Sequence, residues 1–66
     1  MTVSTREKVF RFVRERILAG EPPTVREVQA HFHFQSSGTA REHLDRLIAE
    51  GLLEKVGGVS RGFRLP

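Results

Sequence analysis

Apolar residues along the chain fall into three stretches with helical spacing, followed by one with strand spacing. Val9, Phe10, Val13, Ile17 and Leu18 recur at i, i+1, i+4, i+8 and i+9, one stripe of a helix over residues 4–19. Arg11, Arg14 and Glu15 fall mainly outside that stripe, and Phe12 lies off it. Ser4-Thr5-Arg6-Glu7 ahead of it is a capping box, in which serine and glutamate satisfy each other's orphan backbone donors. Gly20 suits the left-handed position that ends a helix. Glu21-Pro22-Pro23 cannot continue it, because proline lacks an N–H and biases the preceding residue toward extended backbone. A second capping box, Thr24-Val25-Arg26-Glu27, opens a short helix to about His31 or Phe32, with Val25, Val28 and Phe32 on one side. After a turn of a few residues, Ser36 or Ser37 offers a hydroxyl cap to a third helix over residues 37–50. Its stripe is Ala40, Leu44, Leu47 and Ile48, and Gly51 is placed to stop it. Leu52 to Val56 then reads as a strand, Gly57-Gly58 as a hairpin signal and Gly62 to Leu65 as the returning strand.

This order predicts a fold that is mostly α with a small β-hairpin: a winged helix-turn-helix of three helices plus a two-stranded wing, one domain over residues 1–66. Two helices joined by a short turn, the second longer and polar outside, form the pattern of a DNA-binding helix-turn-helix. The glycine hairpin directly after the third helix adds the wing. Sixty-six residues bury only about 60% of their unfolded surface, so stability is expected to be modest. There is no cysteine to staple the core or bind zinc as thiolate, which fits a cytoplasmic setting. No stretch approaches the roughly 20 apolar residues of a membrane span, and the charged N-terminus does not read as a signal peptide.

Eleven Lys and Arg against eight Asp and Glu give a formal charge of +3, a small excess whose position matters more than its size. From Lys55 onward the chain holds Lys55, Arg61 and Arg64 and no acid, whereas the body is nearly balanced. An enzyme has little to stand on: no nucleophile is paired with a base, no glycine loop cradles phosphate and no carboxylates cluster. His31 and His33 lack the third and fourth ligands that zinc requires, so neither a metal nor a cofactor is expected. His43, at the margin of the third stripe, reads as a partly buried packing residue with one hydrogen bond. Phe10, Phe32, Phe34 and Phe63 read as core rather than as a platform for stacking single strands.

Several short strings, spaced along nearly the whole chain, resemble the N-terminal DNA-binding domain of LexA-type repressors of the DNA-damage (SOS) response. They are Pro22-Pro23-Thr24, Glu27-Val28, Phe34-x-Ser36, Glu42-His43-Leu44, Glu50-Gly51 and Ser60-Arg61-Gly62-Phe63-Arg64-Leu65. The resemblance implies a cytoplasmic bacterial transcription repressor that binds a palindromic operator on double-stranded DNA, usually as a homodimer. It also implies a C-terminal domain that dimerises and cleaves its own chain with a serine–lysine pair; these 66 residues hold no part of it. Where the family usually reads Ser-Pro-Asn-Ala-Ala-Glu-Glu-His, this chain has Ser36-Ser37-Gly38-Thr39-Ala40-Arg41-Glu42-His43. Gly38 replaces the base-reading asparagine and Arg41 reverses a charge, so the family's usual operator is not expected. His33 stands where the turn normally carries glycine, which would place it in the left-handed conformation.

With the third stripe inward, 100° per residue places Gly38, Thr39, Glu42, Asp45 and Arg46 on or near the outer side and Arg41 on its flank. Gly38, Thr39, Arg41 and Glu42 are the candidate base contacts in the major groove. Arg41 could pair with guanine O6/N7 or grip a phosphate, Glu42 could accept from cytosine N4, Thr39 could meet a thymine methyl, and Gly38 would admit the backbone closely. A solvated helix face is the plain alternative for Arg41 and Glu42. Thr24, Ser36, Ser37, Arg46, Lys55, Arg61 and Arg64 are the candidate contacts to the DNA backbone. The serines and Thr24 could equally serve as caps, and the wing cations could protect a two-stranded edge. Strand alternation allows only one of Lys55 and Arg64 on the DNA side. The rival function is a winged-helix protein-interaction module that does not bind DNA, since the fold alone does not decide between them.

Overall fold

The computed structural model describes residues 3–58 and 61–66. It contains α1 (Thr5–Leu18), α2 (Val25–Phe32), α3 (Ser37–Ala49) and an antiparallel pair, β1 (Glu54–Lys55) and β2 (Phe63–Arg64). Each helix starts on a hydroxyl. Ser4 Oγ accepts from the Glu7 amide at 3.1 Å, and this is the half of the expected box that forms. Around α2 the box is complete: Thr24 Oγ1 accepts from the Glu27 amide at 3.1 Å, and Glu27 Oε1 accepts from the Thr24 amide at 2.9 Å. Of the two serines that could cap α3 it is Ser36, accepting from the Thr39 amide at 3.3 Å, while Ser37 is the first helical residue.

All three helices end in the same way. The amides of Gly20 and Glu21 bond back to Ile17 and Arg16, those of Gly51 and Leu52 to Ile48 and Leu47, and those of His33 and Phe34 to Ala30 and Gln29. This paired closure needs a left-handed residue at its pivot. Gly20 and Gly51 supply it at φ 82° and 77°, and His33 supplies it at φ 56° with a side chain attached. Gln29 Nε2 donates to the Phe34 carbonyl at 3.4 Å and braces the same turn. A left-handed non-glycine residue costs about 1–2 kcal/mol, and glycine's extra unfolded freedom gives back about 0.4–1. His33→Gly is therefore expected to stabilise the domain by about 0.5–1 kcal/mol. Chemical denaturation checks it, and a loss of stability would mean that the imidazole makes a contact worth more than the strain.

The core is Val9, Val13, Val28, Ala40, Leu44, Leu47, Leu53 and Phe63, all buried, with Phe10, Ile17, Val25, Ile48 and Leu65 among the residues half-packed on its rim. Every helical stripe thus turns inward, with one correction: Leu18 is 64% exposed, because the chain has already reached the last residue of α1 and leaves the core there. Phe12, off the stripe, is half-buried against α2: its ring stacks on His31 at 4.0 Å and meets Phe32 edge-on at 5.7 Å. Phe32 stacks on Phe34, and Phe34 on His43, at 5.6 and 5.3 Å. A ladder of rings therefore runs from α1 through the turn to α3 and fixes the third helix against the first two. His43 is half-buried and packs on Phe34, and its buried Nδ1 finds no hydrogen-bond partner among the described residues.

The wing is shorter than the alternation of apolar residues suggests. Leu53 is buried and Leu52 exposed, and pairing begins only at Glu54. Glu54 stands opposite Arg64 and Lys55 opposite Phe63, and the Val56 amide donates to the Gly62 carbonyl. The reversal is wider than a two-glycine turn: Gly58 takes φ 77°, and Val59 and Ser60 lie outside the described residues.

Candidate nucleic-acid interface

Ser36 caps α3 with its own hydroxyl, and the aromatic ladder holds the helix from behind, so its first two turns project outward. Ser37, Gly38, Arg41, Glu42 and Arg46 are exposed, and Thr39 is half-exposed, with Oγ1 3.3 Å from Ser36 Oγ. The base contacts anticipated from the sequence therefore share one outward surface. No residue in the first turn of α3 is acidic, so its unpaired amides keep their positive potential. Lower on the helix, Arg46 shares a shallow groove with Glu42, Asp45 and Arg6, where charges of both signs balance.

Antiparallel partners point to the same side of the sheet, so the register decides which wing cation meets the helices. Lys55 lies on the Phe63 side and Arg64 on the other side, where its Nε donates to Glu54 Oε1 at 2.8 Å. Lys55, Phe63 and Gly62 line a groove of about 380 Å³ together with Thr24, Arg26 and Arg41. This groove joins the start of α2, the first turns of α3 and the wing. Its lining includes three cations and no carboxylate. Thr24 is thus brought to the same groove as Arg41 and Lys55.

Arg26 was not among the residues singled out from the sequence. It sits two residues after the cap of α2, exposed. A cation there opposes the helix dipole by about 0.3–1 kcal/mol. That local mismatch, on the outer side of a helix whose stripe is Val25, Val28 and Phe32, is the signal that could have found it.

Arg61 has a different setting from Arg26, Arg41 and Lys55. Its Nη1 donates to Glu27 Oε1 and to the Pro22 carbonyl, the latter at 3.1 Å. Arg16 stands 3.9 Å from the other oxygen of Glu27 and 3.7 Å from Glu21. Glu27 therefore closes the cap of α2 and also ties the wing and α1 to it. The Thr24 backbone N–H, then the Arg61 guanidinium, hold its carboxyl below the ordinary value of 4.5. A carboxylate with a depressed folded pKa contributes stability that is present above its unfolded pKa and lost as pH falls through the folded one. The wing is accordingly expected to loosen from α2 below about pH 4.5. Amide exchange at Val56, whose N–H donates to the Gly62 carbonyl, reports this, and Glu27→Gln should show the loosened behaviour already at neutral pH. Identical acid profiles for the two proteins would contradict the role given to Glu27.

Among the described residues, no helix is long and apolar enough to cross a membrane, and no group of three or more His, Asp or Glu could hold a metal ion. The sequence model described as the LexA DNA binding domain matches residues 3–62. The chain is 46% identical over 61 residues to a LexA repressor of Thiobacillus denitrificans, covering 91% of this chain and 30% of the relative. It is 44% identical over 61 residues to that of Hahella chejuensis, covering 91% and 30%, and 43% identical over 65 residues to that of Sodalis glossinidius, covering 96% and 32%. The chain thus spans about a third of the length of these relatives. Three capped helices, a short wing and a family match over almost the whole chain lead to one conclusion: it belongs to the family of LexA DNA-binding domains.

Proposed function

We propose that this domain binds double-stranded DNA sequence-specifically as the reading head of a cytoplasmic bacterial repressor. In this reading α3 lies in the major groove and the wing lies along the backbone or in the minor groove. The observation that carries the reading is the union of an acid-free cationic groove with the exposed first turns of α3, in a chain whose relatives are named LexA repressors. Phosphates set affinity and register, and base edges set sequence preference. Glu42, exposed and free of a salt bridge among the described residues, accepts from a cytosine amine. Thr39 presents its methyl to thymine. Ser36, Ser37 and Thr24, at the starts of their helices, meet phosphates drawn to the positive helix ends. Arg46 meets the backbone one turn further on. Arg61 reaches it with the guanidinium donors that Glu27 and Pro22 leave over, and Arg64 reaches it from the outer sheet face. A single module of this size buries only about 600–1,000 Å² on DNA, so two copies on a palindromic site supply useful affinity.

Selection from a pool of random duplexes tests the proposal: a two-fold symmetric consensus is expected, distinct from the usual family operator because Gly38 and Arg41 alter the reading surface. Failure to enrich any sequence would remove the repressor reading. Gly38 allows a sharper check. A methyl added there would stand 3.6 Å from Ser36 Oγ, an ordinary contact, in backbone that carries no positive φ. Gly38→Ala is therefore expected to stabilise the fold by up to about 1 kcal/mol while lowering affinity for the selected duplex. Unchanged affinity would show that DNA does not approach the backbone at this position.

A further inference from the structure

Arg41 is a candidate base contact by its place on the first turns of α3, yet the cleft that it lines suits a backbone contact. It lines the groove with Arg26 and Lys55, so three cations from α2, α3 and β1 converge on one cleft. Among the described residues none of the three has a carboxylate within salt-bridge distance, whereas the wing arginines are paired, Arg61 with Glu27 and Arg64 with Glu54. With no carboxylate in its lining, the groove keeps the charge of its three cations. Three like charges converging on a cleft repel one another unless an anion enters. Arg26 adds a second sign of the same kind, since a cation in the first turn of α2 opposes the helix dipole and gains nothing within the fold. Phe63 forms an apolar floor, so a phosphodiester seated there would meet cations on its rim and be partly screened from water.

We infer that Arg26, Arg41 and Lys55 form a phosphate clamp that grips the DNA backbone between the wing and α2, and that Arg41 serves this clamp rather than a guanine edge. The inference rests on the DNA-binding reading and adds to it a division of labour. Sequence preference falls to Gly38, Thr39 and Glu42, and the clamp fixes how deeply α3 enters the groove. Arg26 is as important to affinity as Lys55. Arg61 is the latch that keeps the wing in place for Lys55 to reach the clamp.

The test is the salt dependence of binding to a random-sequence duplex, measured by fluorescence anisotropy from 50 to 200 mM salt for the unaltered domain and for Arg26→Gln, Arg41→Gln and Lys55→Gln. Each lost phosphate contact reduces the magnitude of the log–log slope by about 0.9, so each variant's deficit should shrink about 3.5-fold across that range. Arg26→Lys should restore the slope, because a point charge suffices for a phosphate. Arg41→Gln should leave the base preference in duplex selection unchanged. If the unaltered domain binds with a steep slope and Arg26→Gln and Lys55→Gln keep that slope, the clamp is wrong while DNA binding stands. A relaxed preference at one base pair in Arg41→Gln, with the slope unchanged, would return Arg41 to base reading. No salt-dependent binding by the unaltered domain would remove both the clamp and the reading on which it rests.

Discussion

Phe63→Ala is expected to destabilise the domain by about 3–5 kcal/mol, the range for emptying a buried aromatic site. A domain of 66 residues has only about 3–10 kcal/mol in total, so the loss removes a large part of what holds it folded. Among the described residues Phe63 is the only buried phenylalanine, at 5% exposure, and the only buried residue of the two strands. The wing has two paired positions, far too few for an independent hairpin. It is held by Phe63 in the core, by the Arg61–Glu27 pair and by the Val56–Gly62 hydrogen bond. Without the ring, amide exchange at Val56 should accelerate before exchange in α1 and α3, and the groove should lose its floor. If the variant melts within a few degrees of the unaltered domain, the wing is not rooted in the core as described.

Leu44→Ala is the second large effect, at about 2–5 kcal/mol. Leu44 is 1% exposed, at the centre of the inward stripe of α3 between Ala40 and Leu47. The surrounding Val9, Val13 and Val28 come from the other two helices and are themselves fully buried, so little can relax into the space left behind. In a domain of this size 1 kcal/mol corresponds to about 4–8 °C, and the midpoint should therefore fall by roughly 8–40 °C. The variant bears directly on function, because the same residue sets the angle at which Gly38, Thr39 and Glu42 face outward. A drop of only a few degrees would mean that α3 packs through its rim residues instead.

The helices were legible because their signals agree at every level. Capping boxes, inward stripes and terminal glycines all mark the same limits, and the αL turn at His33 follows from the same logic of helix closure. The departures have physical causes. Leu18 fits the stripe by periodicity but lies where α1 has run past the core. Phe12 does not fit it, yet it finds α2 across the turn through His31 and Phe32, a contact no single helix can reveal. The wing is legible as the pair Gly57-Gly58 between two apolar runs, but only the register separates Lys55 from Arg64. The exposed face of α3 follows from 100° per residue. The groove does not, since Arg26, Arg41 and Lys55 are far apart in sequence and meet only after folding. Nor could the sequence distinguish Arg61, tied to Glu27, from cations left without an acid.

The most direct test of the DNA-binding surface is an amide chemical-shift titration of the domain with a random-sequence duplex at low and moderate salt. The expected shifts centre on Thr24 to Arg26, Ser36 to Glu42 and Lys55 to Val56, and weaken together as salt rises, because these residues surround one cationic groove and the helix beside it. Shifts confined to other surfaces, such as the solvent side of α1, or shifts here that ignore salt, would contradict the account.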